Sequence, residues 1–299
     1  MIAQLLANGV ILGSTLALGA IGLTLTYNIL NFANFAHGSL LSWGAYLAFT
    51  FALAFVGANS ADFGPLSFGW PLLLALILGA ALTGVLAIVV DLLVFRPLRR
   101  SNVQVALVIA SFAVSLMLRN LIVVVWGPEP KYFTSNIQIQ QQILPGVRAT
   151  PDQIFVVVLA LLLVVLLHLF LKHTRLGKEM RAIADNPVLA EVSGVNVRNV
   201  IYWTWVLGGS LAAAGGVFYG LTVQILPEMG FNLLLPLFAA AILGGIGSIY
   251  GAVLGGFVIG IASDLSVAVI SPGYKPAVAF VIMILVLLVR PSGILGEKK

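Results

Sequence analysis

Three stretches of the chain carry polar groups or flexible backbone where the flanking sequence is apolar, and the chemistry open to them is recognition and movement, not bond-making. The first is Asn28-Ile-Leu-Asn-Phe-Ala-Asn-Phe-Ala-His-Gly-Ser39, in which Asn28, Asn31, Asn34, His37 and Ser39 interrupt an apolar hairpin. Such residues favour turns and caps, with Asn34 or His37 opening the next helix; a broken helix can also present them to a solute pathway. The second is Gly244-Gly245-Ile246-Gly247-Ser248. It suits either close packing of helices through small residues or a deliberate break on the side of a pore. The later Gly251, Gly255 and Gly256 read as packing faces. The third is the loop 172–198, which holds five of the fifteen basic residues (Lys172, Arg175, Lys178, Arg181, Arg198) and three of the ten acids (Glu179, Asp185, Glu191).

Within that loop the punctuation of a short helix is complete. Asn186 is a good N-cap, Pro187 suits the first helical position, and Gly194 suits the left-handed residue past the end. Two turns are too few to be stable alone in water, so this helix is expected to dock on something. Catalytic constellations are missing. The histidines are three (His37, His168, His173), cysteine is absent, and neither a Walker phosphate loop nor an HExxH pattern occurs. No catalytic residue, metal site or cofactor is therefore expected, and any ATP must be hydrolysed by a partner. His168 and His173 flank a span end and read as interfacial.

The elements that position these residues are membrane helices. The chain is 61% hydrophobic and 8% charged, with mean hydropathy +1.11, where soluble domains carry about 25% charge. The net charge of +5 sits in short loops, where membrane topology and not nucleic-acid binding explains it. Met1 leads directly into an apolar run with no basic n-region, so the first segment is expected to stay as a membrane helix. Apolar runs place spans near 3–27, 39–57, 71–95, 103–126, 153–171, 200–223 and 277–290. The run 235–270 reads as two shorter helices broken at GGIGSIYG. The fold class is thus all-α, a polytopic bundle of about eight or nine segments, with 1–299 as a single transmembrane domain. Arg96, Arg99 and Arg100 and the loop 172–198 mark the cytoplasmic side. The loop 127–152, where Lys131 and Arg148 balance Glu129 and Asp152, reads as external. Two crossings in 235–270 leave Lys298 and Lys299 inside and the N-terminus outside, unless 28–38 is re-entrant. Within the spans, Arg119 falls near an outer end and Asp91 reads as interfacial. Asp91 and Asp264 do not form the intramembrane carboxylate pair that an ion-coupled carrier would favour.

Several segments together resemble the permease subunits of branched-chain amino-acid ABC importers, of the LivH type in the LivH/LivM pair: NFAHG at 34–38, RPLR at 96–99, TRLGKEMRAIADNPVLAEVSGVN at 174–196, AAILGGIGSIYGAVLGG at 240–256 and RPSGILG at 290–296. They follow the family's order from end to end. The resemblance implies a multi-pass permease of the bacterial cytoplasmic (inner) membrane. It would take solute from an extracytoplasmic solute-binding protein and pair with a LivM-like second permease and two cytoplasmic ATPases (LivG/LivF-like). The loop 172–198 would be the coupling element, with Arg181, Asp185, Asn186, Pro187, Leu189, Glu191 and Gly194 in it; Asp185-Asn186 stands where the family often has Glu-Asp. Candidate pathway residues are Asn31, Asn34, His37, Gly244, Gly245, Gly247 and Ser248. The solute would be a branched-chain amino acid or a related small solute such as urea or a short amide. The alternatives are a stand-alone channel or ion-coupled carrier for a small polar solute, and a non-transporting scaffold, which has little use for the polar interruptions.

Overall fold

The computed structural model describes residues 1–55, 64–100, 103–134, 138–290 and 292–296. Among them eight helices are long and apolar enough to cross a bilayer. These are α1 (Ile2–Leu30), α2 (Ala36–Phe55), α3 (Trp70–Val90) with its continuation to Arg99, α5 (Gln104–Trp126), α6 (Pro151–His173), α9 (Val197–Thr222), α11 (Ile249–Ser266) and α12 (Lys275–Val289), which reaches spanning length together with the 3-10 turn Pro272–Tyr274 ahead of it. Helix α3 runs on through a π turn, Asp91–Phe95, into the short α4 (Arg96–Arg99). A further apolar helix, α10 (Met229–Gly244), has 16 residues, about 24 Å at 1.5 Å per residue against a hydrocarbon core of about 30 Å. It begins part-way through the bundle, where the Gly230 N–H donates to Ser42 Oγ in the first half of α2 (3.0 Å). The run 235–270 is therefore two helices, α10 and α11, with residues 245–248 between them. The protein is an all-α polytopic bundle with one small hairpin, β1 (Gln141–Leu144) and β2 (Val147–Ala149), among the described residues.

Helix α1 is the axis of the bundle, its apolar window more deeply buried than that of the other spans. It runs antiparallel to α11 along a seam of small residues. A Cβ added at Gly260 would lie 2.5 Å from Gly13 Cα, and one at Gly256 would lie 2.6 Å from Ala17 Cα. Bilayer lipid offers no hydrophobic drive for helix association, so such close backbone approach is what holds two spans together. The outer helices α5, α6 and α12 keep large apolar side chains exposed, among them Ile109, Val165 and Leu288, as lipid-facing surfaces should.

The two ends of the bundle differ in charge. Tyr202 OH accepts from Arg198 Nε (2.9 Å) and from Arg96 Nη1 (3.5 Å), which brings the basic end of α4 to the start of α9. The C-terminal ends of α1 and α6 open on the same end. A collection of basic residues is what the positive-inside rule expects of a cytoplasmic end. At the opposite end Gln4 exchanges two hydrogen bonds with the backbone of Arg148, and Lys131 bridges to Ile225. This places the N-terminal end of α1 on the same side as the 127–149 region, as the parity argument expects. Lys298 and Lys299 lie outside the described residues.

Asp91, at the basic end of α3, is fully buried in the π turn, with its Oδ2 accepting from Arg99 Nη2 (2.9 Å) and its Oδ1 2.6 Å from Nη1. The extra residue of the π turn changes the phase of the helix. That turns Asp91 inward towards Arg99, eight residues ahead, and lets Phe95 stack on Trp205 with centroids 5.4 Å apart.

Candidate functional site

Helix α7 (Arg175–Asp185) and helix α8 (Pro187–Val192) form a projection at the basic end of the bundle. Thr174 caps α7 by accepting from the Gly177 N–H (3.0 Å). Gly177, Met180 and Ile183 recur at three-residue intervals and face inward, so α7 lies against the bundle with its charged face outward. Gly177 is packed so closely that an added Cβ would stand 2.3 Å from the Leu171 carbonyl oxygen. The Asn186 side chain accepts from the Leu189 N–H (2.9 Å), and Pro187 opens α8. At the far end the Val195 N–H donates to the Ala190 carbonyl (3.0 Å) across Gly194, whose φ is +88°. This is the Schellman closure that glycine permits. Caps at both ends hold a helix too short to stand alone. Only Ala190 of α8 is buried; Val188, Leu189 and Val192 are 70%, 61% and 77% exposed. Glu191 and Asp185 are exposed beside them. Arg181 sits apart from α8, on the wall of a cleft described below.

The glycine break is closed by backbone on two sides. Gly245 and Gly247 have φ of +105° and +103°, and Ser248 caps α11 by accepting from the Gly251 N–H (3.1 Å). The Ile294 and Leu295 N–H groups donate to the Leu243 and Gly244 carbonyls (2.8 and 2.9 Å), so the C-terminal segment satisfies acceptors that the end of α10 leaves open. A Cβ at Gly244 would meet the Gly251 carbonyl oxygen at 2.0 Å, and one at Gly245 the Gly296 nitrogen at 2.3 Å. Close approach accounts for both residues.

The hairpin 28–39 divides its polar groups between different tasks. Asn31 is exposed and left-handed (φ 54°), and ends α1. Asn34 is buried; its Oδ1 accepts from the Ala36 N–H (3.1 Å) and so starts α2. His37 is fully buried, with Nε2 2.9 Å from the Gly19 carbonyl oxygen. Ser39 pairs with Ser115 on α5 (2.9 Å). Neither Asn34 nor His37 lines either of the two clefts described next. Asn28 joins the hairpin to the glycine break, its Nδ2 donating to the Gly247 carbonyl at 2.5 Å.

Two clefts flank this core. The cytoplasmic one, about 370 Å³, lies between α1, α6, α7 and the start of α11, with Asn28, His168, Lys172, Arg181 and Tyr250 on its walls. His168 Nδ1 makes a close contact with Tyr250 OH. The outer one, about 550 Å³, lies between α1, α9, α10, α11 and the start of α12. Its walls combine apolar Ile11, Leu12 and Leu233 with Asn232, Asp264 and Lys275; the Lys275 ammonium donates to Asp264 Oδ1. Asn232 and Lys275 do not stand out in sequence. The local signal that could have pointed here is Pro236 inside an apolar helix, four residues after Asn232. Elsewhere on the outer half, Arg119 pairs with Glu228 (3.1 Å) just before α10.

The model of the family described as branched-chain amino acid transport system / permease component matches residues 5–287. The high-affinity branched-chain amino acid transport system permease protein LivH of Escherichia coli (strain K12) is 36% identical over 302 residues, covering 98% of this chain and 95% of that protein. The corresponding BraD permease of Pseudomonas aeruginosa is 36% identical over 299 residues with the same coverage. A probable LivH of Methanocaldococcus jannaschii is 30% identical over 98% of this chain and 92% of its own length. Family model and relatives run through every element described above, and on these matches the chain belongs to the branched-chain amino acid transport system permease component family.

Proposed function

We propose that residues 1–299 act as one transmembrane permease domain of an ATP-driven importer that moves branched-chain amino acids into the cytoplasm. The solute arrives from an extracytoplasmic binding protein. A second, LivM-like permease completes the path, and two cytoplasmic ATPases supply the energy. The observation that carries this reading is α8, a doubly capped two-turn helix at the basic end with three large apolar side chains facing outward. Exposed apolar groups on so short a helix favour burial in a partner, and an ATPase groove on the cytoplasmic face is the partner this family position suggests.

Coupling then needs a rigid connection between α8 and the spans. Helix α7 supplies it, because Gly177 brings its backbone against Leu171 at the end of α6 while Met180 and Ile183 anchor its inner face. Closure of the ATPase pair against α8 would bias the bundle between outward and inward access, as a partner with different affinity for two states must. The test is uptake by proteoliposomes holding this chain with its partner permease, ATPases and binding protein. Leucine should accumulate only with internal ATP, and urea should not compete. Uptake by this chain alone would support a channel or carrier instead.

A further inference from the structure

We propose that the outer cleft is a binding site for the zwitterionic head of an amino acid in transit, with Asp264 receiving the ammonium and Lys275 the carboxylate. The proposal rests on the import reading above and names the groups on this chain that would meet the solute. Its first support is the placing of the charges. Asp264 is 5% exposed near the outer end of α11, and Lys275, which opens α12, reaches it directly, so the two charges meet at the cleft wall. Ionisable groups inside membrane spans are rare and mark solute paths far more often than lipid-facing surfaces do.

The second support is backbone. Pro236 lies inside α10 and has no N–H, so the carbonyl of Asn232 lacks its usual helical donor. Asn232, Leu233 and Pro236 line the same cleft as Asp264, and a carbonyl without its helical partner is an acceptor left for another donor. The third is the apolar wall. Ile11 and Leu12 of α1 face Leu233 of α10 across the space, which suits a branched aliphatic side chain. A volume of about 550 Å³ falls within the roughly 300–1,000 Å³ of small-molecule sites.

Charge balance makes the site selective. Asp264 and Lys275 are neutral as a pair, and a zwitterion that opens the pair and enters between them keeps the total at zero with every charge matched. A carboxylate or an amine alone would leave one protein charge unpaired in a low-dielectric cavity, and that mismatch is how a site rejects a near-isostere.

The cysteine-free chain gives a direct test. A single reporter, Val223→Cys, sits on the cleft wall at an exposed position and can be modified by a membrane-impermeant thiol reagent from outside, in the full complex. Leucine should slow modification, whereas 4-methylpentanoate (no ammonium) and 3-methylbutylamine (no carboxylate) at equal concentration should not. The concentration of leucine for half-protection should rise by roughly 30-fold in Asp264→Asn, as for loss of one partner of a buried charge pair, and by a smaller factor in Lys275→Met, whose side chain is 35% exposed. The analogue series needs no change to the ion pair, so it stands even where those variants fold poorly. Equal protection by either analogue, or none by leucine, overturns the site. ATP-driven leucine uptake is measured in the same preparation: uptake without protection sinks the site alone, and no uptake from the complete complex sinks the import reading.

Discussion

Replacing Gly247 by alanine probes the joint between the first hairpin and the glycine break, and the structure supplies the magnitude. At φ +103° an alanine sits in a sparsely populated region, which costs about 1–3 kcal/mol. The new Cβ would also stand 2.6 Å from Asn28 Oδ1, and forced overpacking of this kind costs about 1–3 kcal/mol more. Asn28→Ala loses the hydrogen bond from Nδ2 to the Gly247 carbonyl, about 0.5–1.5 kcal/mol, but opens the space that the new methyl needs. In the Asn28→Ala background Gly247→Ala should therefore cost the backbone strain alone. The double variant should be more stable than the sum of the singles by about 1–3 kcal/mol. Gly194→Ala is the control, since its φ is +88° with nothing within 4 Å of an added Cβ; it should show strain without coupling to Asn28. Equilibrium unfolding in mixed micelles, followed by the fluorescence of the five tryptophans, measures all the arms. Additive costs at Asn28 and Gly247, with coupling under about 0.5 kcal/mol, would refute the reasoning.

Arg99→Ala should destabilise the bundle by about 3–5 kcal/mol, because it leaves the Asp91 carboxylate buried without its cation; replacing both residues by leucine should cost less, and the same micelle titration reads both. Single cysteines at Lys131, Arg100 and Lys178 test the orientation argued from loop charge. An impermeant maleimide added to intact cells should label position 131 and spare the other two, and outside labelling at 178 would invert the topology.

The spans were legible because twenty apolar residues in a row have few other uses in a folded chain, and the break at 245–248 because Gly245, Gly247 and Ser248 stop and restart a helix locally. The caps of α8 were legible for the same reason: Asn186, Pro187 and Gly194 each act within a few residues of themselves. Pairings across the fold were not. Asn28 meets Gly247 from 219 positions away, and nothing near either residue announces the other. The pairing of Asp91 with Arg99 was not legible because an α-helical count does not anticipate the π turn that brings the two onto one face. Asp264 stood out as a charge within a span, but nothing near it announces Lys275, which the turn between α11 and α12 brings to it.

The import reading turns on α8, and Leu189→Asp tests it most directly. The side chain is 61% exposed in this chain, so the change should leave folding and membrane insertion intact. If Leu189 is buried on an ATPase, its loss removes about 1.5–3 kcal/mol of burial, a weakening of roughly 10- to 100-fold. The measurement is ATPase retention in a pull-down together with leucine-stimulated ATP hydrolysis by the reconstituted complex. The account predicts loss of both, with normal amounts of permease in the membrane. Retention and stimulation equal to those of the unmodified chain would contradict it.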